Sequence, residues 1–367
     1  MSDTDQAHEA VEHLEYAERL EVDRPGFDRR AFLRRTALTG VAAGSVGSLL
    51  SACGSSASTP SGASSIFDSS KSYKFTFVNH VTTNAFFTPT QYGIQDACKL
   101  LGCTYAWTGS ETSNVGQMVN ALNSAVAAGV GGIAVSLVDA TAFNSPVASA
   151  LSAGIPVVAY NADVKTNPRL AYIGQDLETS GEELGEHIAK LVPEGDVALF
   201  IATPGSLNIQ PRINGALKTL GKYPAIKTHV IATGALGAEE LTHIESYFVG
   251  HPETKGMFAV DAEDTQAVAE TIHKHGAGGR VKGGGYDLLV PTVEGIAAGD
   301  IQVTIDQQPY LQGFLPILEL YLYQVSKHLS GIADVDTGLK FVTKETVGLY
   351  QSTKSRFEGS HATAGVS

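Results

Sequence analysis

From residue 73 to about residue 350 the chain alternates two hydrophobic patterns. Short runs rich in β-branched and aromatic residues recur at 73–78, 104–107, 132–137, 156–160, 196–201, 227–233, 256–260, 281–286 and 303–305. Runs of this length and composition predict strands. Between most of them the apolar positions fall three and four apart, which predicts helices over 90–101, 115–128, 143–153, 180–191, 212–220, 238–248, 265–275 and 290–298. Gly102, Gly129, Gly154, Gly221 and Gly276 each follow a last apolar position, where a helix commonly ends. The strand runs are apolar on both faces, and repeated βα units of that kind imply parallel sheets covered by helices on both sides. Nine strands over this length exceed one core, so two doubly wound sheets are expected. Such sheets bind ligands beyond the carboxyl ends of their strands. The loops there, including 79–87, 108–114, 138–144, 161–165, 202–210, 234–237, 261–264, 287–289 and 306–309, carry Asn, Asp, Gln, Thr and aromatic residues. Those groups suit a polyhydroxyl ligand, whose every hydroxyl both donates and accepts.

The first 52 residues stand apart. Arg29 and Arg30, followed by Ala31, Phe32 and Leu33, look like a twin-arginine export signal, and Leu50-Ser51-Ala52-Cys53 looks like a lipoprotein cleavage box. The uncharged stretch between them is too short and too glycine-rich to span a bilayer, which takes ~20 apolar residues. Residues 1–52 are therefore expected to be removed, leaving Cys53 lipid-modified and the protein tethered to the outer face of the cytoplasmic membrane, in the periplasm or cell envelope. Residues 53–72 are rich in Ser, Gly, Ala and Pro and are expected to form a flexible tether. Residues 353–367 are expected to form a polar tail.

Composition narrows the partners. Acidic residues outnumber basic ones 38 to 25, for a net charge of −13, and the leader's removal leaves the excess acidic. Nucleic-acid binding is not expected, because phosphate neutralisation needs the opposite sign. Besides Cys53 there are Cys98 and Cys103, which either pair in an oxidising compartment or pack as separate small apolar groups. Enzyme signatures are weak. His8, Glu9 and His13 miss zinc-protease spacing, 215–222 is a near miss for a phosphate loop, and Gly283-Gly284-Gly285 falls within a strand. No Cys/His cluster has metal-ligand spacing. The expectation is a non-enzyme without cofactor or metal.

The stretch from Lys74 to Phe87, reading Lys-Phe-Thr-Phe-Val-Asn-His-Val-Thr-Thr-Asn-Ala-Phe-Phe, resembles the first strand and loop of type 1 periplasmic sugar-binding proteins. These are receptors of ABC importers related to the ribose-binding proteins. The order of Gly154-Ile155-Pro156-Val157-Val158, Phe258-Ala259-Val260-Asp261-Ala262, Gly284-Gly285-Tyr286-Asp287 and Val303-Thr304-Ile305-Asp306-Gln307-Gln308-Pro309 continues the likeness. The resemblance implies two α/β lobes joined by three crossing segments, one lobe from 73–176 plus 308–335, the other from 177–307 plus 336–352. It implies a monomer that takes up a monosaccharide or polyol between the lobes and hands it to a permease and its ATPase. A sensor of the same fold, coupled to a chemoreceptor or histidine kinase, is the alternative.

The resemblance also implies site residues. In the first lobe they are His80, Asn84, Phe86, Phe87, Ser136 with nearby Asp139, Asn161 and Asp163. In the second they are Gln210 with Arg212 two residues on, Asp261, Tyr286 and Asp287, and at the hinge Gln307. Under the resemblance two family arginines are replaced, one by Ala162 and one by Gln210, which argues against ribose itself. Asp261 and Asp287 each precede a helical stretch, so each is also a candidate N-cap. One of Phe86 and Phe87 is expected in the site and the other partly packed. Trp107 fits either core or cleft.

Overall fold

The computed structural model describes residues 71–352. The leader, Cys53, almost all of the tether and the tail from 353 lie outside the described residues. Twelve strands form two six-stranded sheets.

The first sheet contains β1 (Lys74–Asn79), β2 (Thr104–Gly109), β3 (Gly132–Val135), β4 (Val157–Tyr160), β5 (Tyr172–Gly174) and β11 (Val335–Asp336), in the order β11-β5-β4-β3-β1-β2. All its pairings are parallel. The second contains β6 (Gly195–Ile201), β7 (Ile226–Ala232), β8 (Gly256–Ala259), β9 (Lys282–Tyr286), β10 (Val303–Asp306) and β12 (Lys340–Val342), in the order β12-β10-β9-β8-β6-β7. Only β12 runs antiparallel. In each sheet the chain steps one way from its first strand and then reverses, so β1/β3 and β6/β8 are the topological switch points where such folds hold ligands.

Alternate strand residues enter opposite cores, as a pleat requires. Phe75 and Phe77 join Ala134, Val158 and Tyr160 beneath α1 (Thr88–Leu101) and α9 (Pro309–Val325). Val78, Ile133, Val135, Val157 and Ala159 pack under α2 (Val115–Ala127) and α3 (Asn144–Ser152). In the second sheet Val197, Leu199 and Ile201 meet α4 (Leu177–Leu191) and α5 (Gln210–Leu220). Ala198 and Phe200 face α6 (Gly237–Gly250), α7 (Ala262–Lys274) and α8 (Val290–Ala298). These burials supply the main stabilisation of both lobes.

The chain passes between sheets three times, after β5, after β10 and after β11. The crossings are tied together. Gln175 Nε2 donates to the Gly338 carbonyl (2.9 Å), Thr337 Oγ1 to the Gln307 carbonyl (2.9 Å), and Gln308 Nε2 to the Thr337 carbonyl.

Several elements differ from the sequence expectation. Helix α9 did not register as periodic, because Pro309 and Pro316 interrupt a stretch that is apolar on most sides. Strands β5, β11 and β12 have two or three residues each, too few to show a period. A 3-10 turn, Ala85–Phe87, and a short α10 (Gly348–Ser352) were likewise unforeseen. Of the five helix-ending glycines, Gly102, Gly129, Gly154 and Gly276 have positive φ, whereas Gly221 is right-handed (φ −59°) and continues into a turn. Cys98 and Cys103 are buried free thiols.

Candidate functional site

Every strand-to-helix loop that matters here opens at one place. A cavity of about 60 Å³ lies between the carboxyl ends of the two sheets. That is roughly four to six water-sized positions, at ~10–15 Å³ for each. From the first lobe come His80 and Val81 after β1, Asn84, Phe86 and Phe87 at the 3-10 turn, Ser113 before α2 and Asn161 after β4. From the second come Thr203, Ser206 and Asn208 after β6, Arg212 on α5, Glu240 on α6, Asp261 and Glu263 at α7, and Asp287 after β9. Gln307 enters from the second crossing.

Local chemistry explains the placement. Asn84 caps the 3-10 turn, its Oδ1 accepting from the Phe86 N–H (2.8 Å), which fixes both phenylalanines. Both line the cavity and both are buried; Phe87 also packs edge-on to His80 and against Trp107. Trp107 stands behind the cavity, donating its indole N–H to the Thr82 carbonyl (3.1 Å). Asp261 is the N-cap of α7, accepting from the Asp264 N–H (2.9 Å), and it lines the cavity as well, so capping and cleft position coincide. Asp287 caps no helix; Leu289 holds that position on α8. Ser113, Asn161 and Asp287 have φ of 57°, 64° and 70°. Three non-glycine residues in the left-handed region around one cavity mark strain of the kind that concentrates at functional sites.

A hydrogen-bond chain spans the hinge. Gln307 Nε2 donates to Asp287 Oδ1 (2.8 Å), Gln312 Nε2 to Gln307 Oε1 (3.2 Å), and Asn161 Nδ2 to Gln312 Oε1 (3.2 Å). A second tie crosses the cleft. His80 Nδ1 meets Ser136 Oγ (3.1 Å), and its Nε2 meets Asn208 Nδ2 (3.0 Å). Because an amide nitrogen only donates, Nε2 accepts and the proton sits on Nδ1. Burial, and secondarily Arg212, lowers the His80 pKa to about 3, so the ring is neutral. The Leu207 N–H also donates to the Val138 carbonyl across the cleft (2.9 Å).

Arg212 dominates the electrostatics. It is 2% exposed, stacked 4.0 Å over the Tyr286 ring, with Nη1 on the Val260 carbonyl (2.7 Å). Its backbone is held so close to α4 that a Cβ on Gly181 would stand 2.2 Å from the Arg212 carbonyl oxygen. Its Nε and the Asn161 Oδ1 are buried without partners. Burial pushes Asp287 up to about 7, with Arg212 opposing.

Nine of the expected residues therefore line the cavity: His80, Asn84, Phe86, Phe87, Asn161, Arg212, Asp261, Asp287 and Gln307. Five lie off its wall. Ser136 is buried behind His80. Asp139 accepts from the N–H groups of Ala142 and Thr141, which hold its carboxyl below the ordinary range. Asp163 is paired with Arg169 (2.6 Å) in a separate groove. Tyr286 lies under Arg212, its hydroxyl on Ser180 Oγ (3.0 Å). Gln210 bonds to the Gly205 N–H and Asn214 on the outside of α5. Arg212, half a helical turn further on, lines the cavity where Gln210 does not. The loops of Ser113, Thr203, Ser206 and Asn208 stand out in the sequence, but nothing in it singles out these residues; Glu240 and Glu263 sit on helix first turns, where acidic residues are ordinary.

This geometry, two doubly wound lobes facing each other across a polar cavity with a three-stranded hinge, defines a binding protein of the periplasmic type. Residues 75–327 match the periplasmic binding protein domain family, and the chain belongs to it. It is 52% identical over 304 residues to the xylose/arabinose-binding protein XylF of Sulfolobus acidocaldarius, covering 78% of this chain and 75% of that one. It is 25% identical over 245 residues to the ribose import binding protein RbsB of Bacillus subtilis, covering 66% and 79%. Among solved structures, an ABC transporter solute-binding protein of Burkholderia graminis in complex with D-arabinose superposes with a TM-score of 0.71 at 28% identity, covering 76% of this chain and 97% of that one.

Proposed function

We propose that this protein is the substrate-binding receptor of an ABC importer and that its ligand is an aldopentose, arabinose or xylose. The observation that carries the reading is the pair of buried, unpartnered groups at the cavity: a donor, Arg212 Nε, and an acceptor, Asn161 Oδ1. Leaving such groups unmet costs ~1–3 kcal/mol each, and a sugar hydroxyl meets either kind. Phe86 and Phe87 offer aromatic surface to the C–H face of a ring. The two sugars for which XylF is named, both pentoses, favour a pentose here. Closure of the lobes over the sugar is the state a permease reads. Arabinose, xylose, ribose, glucose and xylitol titrated calorimetrically, with melting temperature in parallel, test this. Arabinose or xylose binds tightest and raises the melting temperature by mass action. Preference for glucose, or binding of none, refutes it.

The chain is further proposed to be exported and anchored by lipid on Cys53. Mass spectrometry of the mature protein from membranes, beside Cys53→Ala, tests this. An unmodified N-terminus, or a Cys53→Ala protein that stays membrane-bound, refutes it.

A further inference from the structure

Glu240 stands at the cavity wall without a role in the family resemblance. It is 2% exposed and its Oε2 has no partner. Carboxylate oxygens of Glu240, Asp261 and Asp264 all lie within 4.8 Å of one another. Asp264 is wholly buried; its Oδ2 accepts from Thr233 Oγ1 (3.0 Å) and its Oδ1 is unpartnered. The guanidinium acting on Asp261, that of Arg212, is turned to the Val260 carbonyl and the Tyr286 ring. Three carboxylates this close, with Glu240 and Asp264 buried, do not all ionise; protons are kept among them. Asp261 is the one best able to stay ionised, since two backbone N–H groups, those of Asp264 and Ala202, point at its oxygens.

We propose that Glu240 is a further sugar contact, presenting its carboxyl group to the ligand in the acid form, with Asp264 behind it as a positioning residue. A neutral carboxyl offers a donor and an acceptor together, which ionised Asp261 does not. Burial first, then the charges of Asp261, Glu263 and Glu239, pushes Glu240 up to about 10 against a hydrogen bond with Asp264 that opposes the rise, while Asp264 is raised by burial and then by Asp261 and Glu240. The inference rests on the pentose reading for the identity of the ligand only.

The test titrates wild type, Glu240→Gln and Glu240→Ala with arabinose and xylose between pH 6 and 10, with and without calcium or EGTA, and follows thermal unfolding alongside. Glu240→Ala weakens binding about tenfold or more. Glu240→Gln, which keeps a donor and an acceptor, weakens it far less. Wild type loses affinity as pH nears 10 and the Gln variant does not. Ala binding as tightly as wild type overturns the proposal. So does Gln as damaging as Ala with wild-type binding that needs calcium, since the three carboxylates then hold a cation. If wild type binds neither pentose, the ligand reading falls, and unfolding still judges Glu240. A melting-temperature advantage of Gln over Glu that widens from pH 6 to 10 supports the retained proton, and a constant difference overturns it.

Discussion

Asp287→Asn separates what this residue costs the fold from what it gives the ligand. Asp287 is 5% exposed and has φ +70°, and its carboxylate accepts one hydrogen bond, from Gln307. Asparagine has the same shape and tolerates the left-handed region, so the backbone is preserved. Burial raises the folded-state pKa to about 7 from 3.8. The folded protein therefore keeps a proton that the unfolded chain releases. Its stabilising contribution is full below about pH 4 and is lost as pH rises through about 7. Asparagine does not titrate. At pH 8 the variant should be the more stable by something on the order of 4 kcal/mol, and near pH 4 the two should be nearly equal. Binding moves the other way. At pH 8 the wild-type carboxylate makes charge-assisted bonds roughly twice as strong as an amide's, so the variant should bind its pentose about fivefold or more weakly. Denaturation at pH 4, 6 and 8, with calorimetry at pH 8, reads both effects. A stability difference that does not grow with pH, or undiminished binding, refutes the reasoning.

Other outcomes follow from packing and from the cleft ties. A Cβ on Gly313 would stand 1.9 Å from the Thr90 carbonyl oxygen, so Gly313→Ala should force α1 and α9 apart and cost about 2 kcal/mol or more in denaturant unfolding, with ligand affinity of the folded protein little changed. Asn208→Ala removes the amide that reaches His80 across the cleft. Stopped-flow dissociation of the sugar should accelerate about two- to tenfold while association changes little, and an unchanged off-rate would show that the tie does not hold the cleft closed. Cys98 and Cys103 are buried free thiols, so a thiol reagent should react with both only after unfolding. Absence of titratable thiols from denatured, unreduced protein would show that they are joined.

The alternation of strands and helices was legible because both faces of the central strands are covered, which leaves continuous apolar runs that stand out against polar loops. The placement of the cavity followed from that alternation alone. What escaped were features whose cause is tertiary. Helix α9 is apolar on most sides because it packs on α1 and lies over the first sheet, so it shows little of the stripe that betrays a surface helix. Arg212 and Gln210 are two residues apart near the start of one helix and point in different directions, a distinction that requires knowing which face α5 turns inward. Ser136 and Tyr286 were expected as contacts and instead stand behind cavity-lining residues, Ser136 behind His80 and Tyr286 under Arg212; one step past Tyr286 the side-chain direction reverses, and Asp287 lines the cavity. Glu240 was invisible as a cavity residue because a glutamate in a helix's first turn is ordinary, and only the fold brings Asp261 and Asp264 to it.

Both sheets are completed by the same late stretch of chain. Val335 and Asp336 pair with Ile173 and Gly174 at one edge of the first sheet, and Lys340 to Val342 pair with Thr304 to Asp306 at one edge of the second. During synthesis, then, neither half has its last strand until residues 335–342 have emerged from the ribosome. A nascent chain, or a truncation ending near residue 330, carries two open strand edges at once, each a template for joining another copy. The stretch that links the two lobes thus also defers completion of both sheets until residue 342 has been made.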